Sequence, residues 1–550
     1  MSSESNITEL EIEEVSETDN LLDNNLDPAK LEDAEADEAE EEILSTGALL
    51  TIFFSLQVGV FLAAVDGTIV ATLTSRIASE FNAFRSVSWI VTGYLISQAT
   101  FQPLYGKLSD IFGRKPILLF CNISFGVGSV LCGVAPNLWC LVAARVFAGC
   151  GGGGLFTMSA IVLSDIVPLR QRGLLQGIGN IVYGSGAAIG GVVGGLMQEA
   201  FGWRWTFVMQ GPIIVLSVCA ILFNLDLPKT EVDKRLLKRI DYAGSSTMII
   251  GLCLFLFGVS AGGTYFPWTS PLIVCTLVSS VLILIAFAYI EIYVALEPVI
   301  DISVIKNRTV CASALTGFNL SMGYFTNIFY VSMYMLTVRG VSATDSGTTL
   351  IPQFLGTASG SFCAGLYMTR TGRYYPASVL AACCLFFGMC FIASVGYDTP
   401  RLIVSALLFM PGFGAGIYYT TTLVGMIAAI PFEQQAVCTS VVYGFRTIGS
   451  TVGVAIANAI FQNVLILRLE ENITGPGAED IIRKVQDNVE EIALVPDELK
   501  QAVIDCFLAA FHAVMYNTTF LSFCAGVASL FMKEHVLHKS VQKNAHVAME

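Results

Sequence analysis

The stretch Gly106-Lys107-Leu108-Ser109-Asp110-Ile111-Phe112-Gly113-Arg114-Lys115 returns in outline 259 positions later as Gly365-Leu366-Tyr367-Met368-Thr369-Arg370-Thr371-Gly372-Arg373. Both copies follow an apolar stretch, and both set a glycine seven residues ahead of a Gly-Arg step. A fainter echo pairs Pro168 and Gln171 with Pro431 and Gln434. Repeats at this distance imply a chain of two similar halves. The glycines allow a tight turn and close approach of helices. Asp110 sits beside Lys107, Arg114 and Lys115 and can pair with a basic group or a helix N-terminus. Gly106, Asp110, Gly113, Arg114 and Lys115 therefore read as a latch that holds two helices in one state and releases them in another.

Outward from this stretch the chain is strongly apolar. Its mean hydropathy is +0.68, and 13% of its 550 residues are charged, where a soluble domain carries about 25%. That excludes a disordered scaffold, a collagen and a disulfide-rich module, and it fits a polytopic membrane protein. From residue 47 onward, fourteen apolar stretches follow one another, each near the roughly 20 residues that cross a bilayer. Lipid leaves backbone groups no outside partner, so the spans are expected to be helices. The expected fold is all-α: two pseudo-symmetric six-helix halves plus two inserted linking helices. The boundaries run 1–46 for a disordered tail, 47–225 for the first half, 226–309 for the linker with helices 7 and 8, and 310–532 for the second half. A lumenal loop covers 466–504, and 533–550 form a C-terminal tail.

Lys and Arg set the orientation. The loops after the even-numbered spans up to span 12 hold 14 of them, and the short loops on the other side hold five. The first set, with both termini, is expected in the cytosol. Asn472-Ile473-Thr474 then lies on the far side as a glycosylation acceptor.

The net charge of −15 belongs to one segment. Residues 1–42 hold 17 acids and one base, and the remainder sums to +1. This tail shows no signal-peptide pattern. It contains Glu17-Thr18-Asp19-Asn20-Leu21-Leu22, which resembles an acidic dileucine signal that a sorting adaptor would read. The fifteen cysteines make no CxxC pair and read as packing residues. Gly151 to Gly154 lack the strand and the Gly-Lys-Ser/Thr step of a phosphate loop and read as close helix packing. No ATP motif, metal cluster or nucleophile–histidine–acid set is seen. The expectation is no enzyme, no metal, no cofactor beyond a proton gradient, no nucleic-acid partner, and a monomer in the bilayer.

Charges inside spans are costly and usually functional. Asp66 and Arg145 are the deepest in the first half, and Arg446 is deep in span 13. Asp66 could carry a proton, pair with a cationic substrate or serve structure alone. Arg145 could tune a neighbouring carboxylate. Asn180, Tyr183, Gln210, Asn319, Asn327, Gln353, Tyr418, Tyr419 and Arg446 could line a polar pore, with hydrogen bonding between helices as the alternative.

With these residues in view, the chain resembles a transporter of the major facilitator superfamily. Gly106–Lys115 is similar to that family's signature loop between helices 2 and 3. Leu141-x-x-x-Arg145-x-x-Ala148-Gly149 resembles its helix 4 arginine motif, which implies a proton-transfer role for Arg145. Gly186-Ala187-Ala188-Ile189-Gly190-Gly191 resembles the helix 5 antiporter motif, with Ala187 where proline is usual. Val65-Asp66-Gly67-Thr68-Ile69-Val70, Trp203-Arg204-Trp205-Thr206-Phe207 and Asp241-Tyr242-x-Gly244 resemble the fourteen-helix drug:proton antiporter group. Gln102 to Asp110 looks most like fungal vacuolar basic amino acid transporters. The resemblance implies proton-coupled movement of Lys, Arg and His across the vacuolar membrane. Plasma-membrane drug efflux is the alternative, and a non-transporting nutrient receptor is the second.

Overall fold

The computed structural model describes residues 46–537 except 82–85, 88, 168, 226–238, 264, 301–305, 342, 474–496 and 536. The proposed sorting residues Glu17, Leu21 and Leu22 lie outside the described residues. The chain divides into a leading unit, Met1–Thr51, whose described residues are helical, and a main unit, Ile52–Glu550.

Every described element is a helix, apart from one isolated bridge between Gly262 and Phe266. Among the described residues the helices form fourteen rods. The first half contains α1 (Thr46–Phe81), α2a and α2b (Trp89–Phe101, Leu104–Phe112), α3 (Arg114–Gly133), α4 (Leu138–Ile166), α5 (Leu169–Phe201), and α6a and α6b (Trp203–Val208, Gln210–Asn224). The inserted pair is α7 (Tyr242–Ala261) and α8 (Pro271–Tyr293). The second half contains α9 (Arg308–Thr337), α10a and α10b (Ala343–Thr349, Ile351–Thr371), α11 (Tyr375–Ala393), α12a and α12b (Arg401–Leu407, Phe409–Ala428), α13 (Gln435–Asn472) and α14 (Asp497–Leu530). Eleven helices among the described residues are long and apolar enough to cross a membrane. The chain is therefore an all-α, multi-pass protein.

The four breaks have one chemical cause. Proline has no N–H, so the carbonyl four residues earlier loses its helical partner. Pro103 lies in the break of rod 2, and Pro212, Pro352 and Pro411 each fall within three residues after the break in rods 6, 10 and 12. Rod 5 carries Ala187 in place of a proline and runs unbroken. Several rods overrun their apolar stretches. α1 continues to Phe81, past its apolar span Leu49–Val70, and α13 continues to Asn472, into the stretch 466–504 expected as a loop. Hydropathy marks where lipid is met, not where hydrogen bonding stops.

The repeat is visible in the packing. α4 packs on α2a and α3, and α12b packs on α10b and α11 in the same arrangement. α6 covers α3 as α14 covers α11. The repeated glycines behave alike, since Gly113 and Gly372 both take positive φ (91° and 70°) at a helix end. A side chain there would strain the backbone. The halves meet where α5 crosses α10b and α12b, and where α2 crosses α13. α7 packs on α8 and touches both α2a and α13. Trp89 of α2a stacks on Phe257 of α7, with centroids 5.4 Å apart.

Candidate functional site

Between the halves lies a cavity of about 300 Å³. Its wall is built from α1, α2, α4 and α5 on one side and from α9, α10, α12 and α13 on the other. The end of the bundle that carries Gly106–Lys115 is shut. A methyl group at Gly106 would lie 2.5 Å from the Ala436 carbonyl oxygen of α13. A methyl at the repeat partner Gly365 would lie 2.4 Å from the Gly173 carbonyl oxygen of α5. Ser440 donates to the Pro103 carbonyl at 2.8 Å, and Arg172 donates to Gln435 Oε1 at 2.8 Å. The cavity lining begins beyond these seals, from Gln57 to Val70 on α1 and from Tyr443 to Val454 on α13.

One buried ion pair stands behind the wall. Arg145 Nη1 donates to Asp66 Oδ2 at 2.6 Å, joining α4 to α1. Both side chains are at most 2% exposed. Gln210 Nε2 of α6b donates to Asp66 Oδ1 at 3.3 Å. The guanidinium lies over the Tyr94 ring, 4.2 Å from its centroid, and itself lines the cavity. Asp66 has no cavity face. A substrate in this conformation meets Arg145 and not the carboxylate, so direct pairing of Asp66 with a cationic substrate does not fit the geometry. Protonating Asp66 would leave Arg145 without a counter-charge. That gives the pair two electrostatic states, with one member on the wall.

Arg446 is the second charge on the wall. Its Nη2 donates to the Tyr419 carbonyl at 2.9 Å and to the Thr422 hydroxyl at 2.8 Å. Tyr419 and Tyr443 flank it, each with its ring centroid 5.1 Å away. No lining residue is an acid, and no ion pair to Arg446 occurs among the described residues.

The other candidates divide. Asn180, Tyr183 and Tyr419 line the cavity. Gln210 instead serves Asp66. Asn319 turns its amide back to the Leu315 carbonyl at 2.9 Å. Asn327 donates to Gln353 at 3.1 Å in a buried bridge between α9 and α10b. The Tyr418 hydroxyl meets Ser529 of α14 at 3.0 Å. These five side chains lie away from the cavity because a polar group in a span is equally satisfied by a neighbouring helix or, for Asn319, by its own backbone. Gln57, Tyr94, Gln98, Gln102, Gln176, Tyr324, Tyr443 and Thr447 line the cavity without having been singled out. A signal for them existed. Tyr443, Arg446, Thr447 and Ser450 form one polar stripe at helical spacing, and so do Gln176, Asn180 and Tyr183.

The family model described as Major Facilitator Superfamily matches residues 56–454. The chain belongs to that superfamily. It is 37% identical over 500 residues to the multidrug resistance protein fnx1 of Schizosaccharomyces pombe, covering 90% of this chain and 94% of that one. The vacuolar membrane amino acid uptake transporter fnx2 of the same yeast is 36% identical over 508 residues, covering 91% and 87%. Vacuolar basic amino acid transporter 2 of Saccharomyces cerevisiae is 32% identical over 456 residues, covering 79% and 95%. Among solved structures, the proton:xylose symporter XylE bound to 6-bromo-6-deoxy-D-glucose superposes with a TM-score of 0.57 at 14% identity, covering 90% of this chain and 99% of that one. Members of the superfamily are transporters, so the chain is a membrane transporter and not an enzyme.

The superfamily's signature loop has a defined geometry here. Arg114 pairs with Asp110 in the preceding helix and, at 2.7 Å, with Asp165 at the end of α4. It also donates to Ser109 at 2.7 Å. Lys115 donates to the Leu222 carbonyl of α6b at 2.9 Å. Lys107 reaches Glu297, beyond α8, at 3.0 Å, and Glu297 also accepts from Arg239 at 2.8 Å. The charges thus bind the first half together and tie it to the linker, while Gly106 makes the contact with the second half. Glu297 is held down to about 2, first by the Arg239 hydrogen bonds and then by Lys107, against the opposing effect of burial.

In the helix 5 motif, Gly186 packs on the Phe61 carbonyl and Gly190 on the Val65 carbonyl of α1. Gly191 is half-buried. This brings α1 and α5 together beside Asp66. Asn472 is exposed in the last turn of α13.

Proposed function

We propose that this transporter moves basic amino acids from the cytosol across the vacuolar membrane in exchange for protons. The observation that carries the reading is the buried Asp66–Arg145 pair, whose arginine forms part of the cavity wall. A proton on Asp66 frees Arg145, and this changes the charge that the cavity presents. Protons arriving from an acidic lumen would bias an alternating-access equilibrium between two states. Two relatives named as vacuolar amino acid transporters support the substrate and the membrane. The seal at Gly106 and Gly365 represents one of the two states. Asn472 is the glycosylation site in this orientation, and Glu17, Leu21 and Leu22 are the address.

A second reading is export of drug-like compounds at the plasma membrane. Its support is the relative named as a multidrug resistance protein, together with a cavity lined by tyrosines. Vacuoles isolated from yeast expressing the chain and energised with ATP separate the two. Labelled lysine, arginine and histidine should accumulate, and an uncoupler should abolish the accumulation. Uptake no different from vacuoles lacking the chain refutes the amino acid reading. Proton-driven dye export from intact cells supports the second.

A further inference from the structure

Arg446 is an unusual charge. It is 7% exposed, lies in an apolar span and forms part of the cavity wall. Its Nε has no hydrogen-bond partner. A buried charge is costly unless paired, and here two tyrosine faces and two oxygens take the place of an acid. The surroundings make room for the group. A methyl at Gly317 of α9 would lie 3.2 Å from Arg446 Cγ and 3.4 Å from Nε. Arg145, the other cation on the wall, is already neutralised by Asp66. Among the described residues the cavity therefore presents one uncompensated positive charge and no negative one.

We propose that Arg446 is the subsite for the carboxylate of the substrate. The inference rests on the amino acid reading and deepens it: the substrate class is a zwitterion whose carboxylate sits on the second half of the transporter. A guanidinium matches a carboxylate in charge and in planar geometry. The ammonium end faces the opposite wall, where Gln57 Oε1 and Tyr94 Oη are both buried and unpartnered. Cations there meet acceptor oxygens, not a carboxylate. Binding in this way spans both halves and cancels the charge of Arg446. A simple lipophilic cation would add to that charge, so the cavity selects against it.

The test is competition for labelled lysine on the purified full-length protein, with lysine, 6-aminohexanoate and cadaverine as competitors. Cadaverine keeps the amines and lacks the carboxylate. The expected result is that 6-aminohexanoate competes and cadaverine is at least tenfold weaker than lysine. Arg446→Gln should weaken lysine at least tenfold and leave cadaverine no weaker, with Arg446→Lys intermediate. A Gly317→Ala variant keeps the charge but crowds the side chain, and it should weaken lysine alone. An unchanged melting temperature marks each variant as folded. Equal competition by lysine and cadaverine in the wild type overturns the proposal, and so does a ratio unaffected by Arg446→Gln. If labelled lysine does not bind at all, thermal stabilisation by benzoate and by ethidium decides. Stabilisation by benzoate that Arg446→Gln removes keeps the carboxylate subsite and sinks the amino acid reading. Stabilisation by ethidium alone, equal in the variant, overturns both.

Discussion

Adding one methyl group at Gly106 should open the shut end of the bundle. A Cβ there would meet the Ala436 carbonyl oxygen and Ser440 Oγ at 2.5 Å and the Val437 Cα at 2.7 Å. Two of those atoms are backbone and cannot rotate aside. Overpacking of this kind costs about 1–3 kcal/mol. The cost falls only on the state in which α2b touches α13, so all of it shifts the equilibrium between states. At about 1.4 kcal/mol per tenfold, Gly106→Ala favours the opened end by roughly 5- to 150-fold. Gly365→Ala makes the equivalent clash, 2.6 Å from the Gly173 carbonyl carbon and 2.7 Å from the Leu174 Cα. The two sites share no partner, so their effects should add. The double variant then shifts the balance by about 30-fold at the least. Spin labels at exposed Pro116 and Thr371, one on each half, report the separation by electron–electron resonance. Gly195→Ala is the control, because nothing lies within 4 Å of a Cβ there. A distance distribution identical in wild type and Gly106→Ala, with melting unchanged, would refute the reasoning that the glycine contact sets the state.

Other expectations follow from the remaining charges. Asp66→Asn leaves Arg145 buried without its counter-ion and should lower stability by about 3–5 kcal/mol, read by thermal melting. Adding Arg145→Gln should restore much of the stability but not proton-driven uptake, and full uptake in either variant would remove the pair from coupling. Glu297 is depressed from an unfolded value of about 4.3 to about 2. A lowered folded value means that its contribution is present above the unfolded value and is lost as pH falls through the folded one. The stability gap between wild type and Glu297→Gln should therefore hold steady from pH 8 to pH 5 and close below about pH 4. A gap that widens in acid would contradict the Arg239–Glu297–Lys107 link. Asn472→Gln should remove a glycosidase-sensitive mobility shift, and no shift in the wild type would put that residue out of enzyme reach. Replacing Leu21 and Leu22 with alanine should send a tagged protein to the cell surface, and unchanged vacuolar staining would dismiss the address.

The rods were legible because lipid forces apolar stretches to satisfy their own backbone. Their breaks were equally available from Pro103, Pro212, Pro352 and Pro411. Pairing was not legible. Asp66 and Arg145 stand 79 positions apart, and nothing in either helix says that their faces meet. The same limit explains Asn327, Gln353 and Tyr418. A polar residue in a span announces that it needs a partner but not whether that partner is a pore, a substrate or the next helix. Arg172 and Gln435 show what the repeat conceals. They occupy nearly equivalent places in the two halves, and the fold joins them in one hydrogen bond across the shut end.

The inserted helices have a mechanical consequence. α7 rests on α2a and on α13 at once, and α8 turns most of its surface to lipid. If the halves tilt, one of those two contacts must slide, with the Trp89–Phe257 stack as its bearing. The surrounding bilayer then presses on a brace that spans the hinge. Membrane thickness and lateral pressure become loads on turnover, set by the lipid composition of the surrounding bilayer and independent of the cargo.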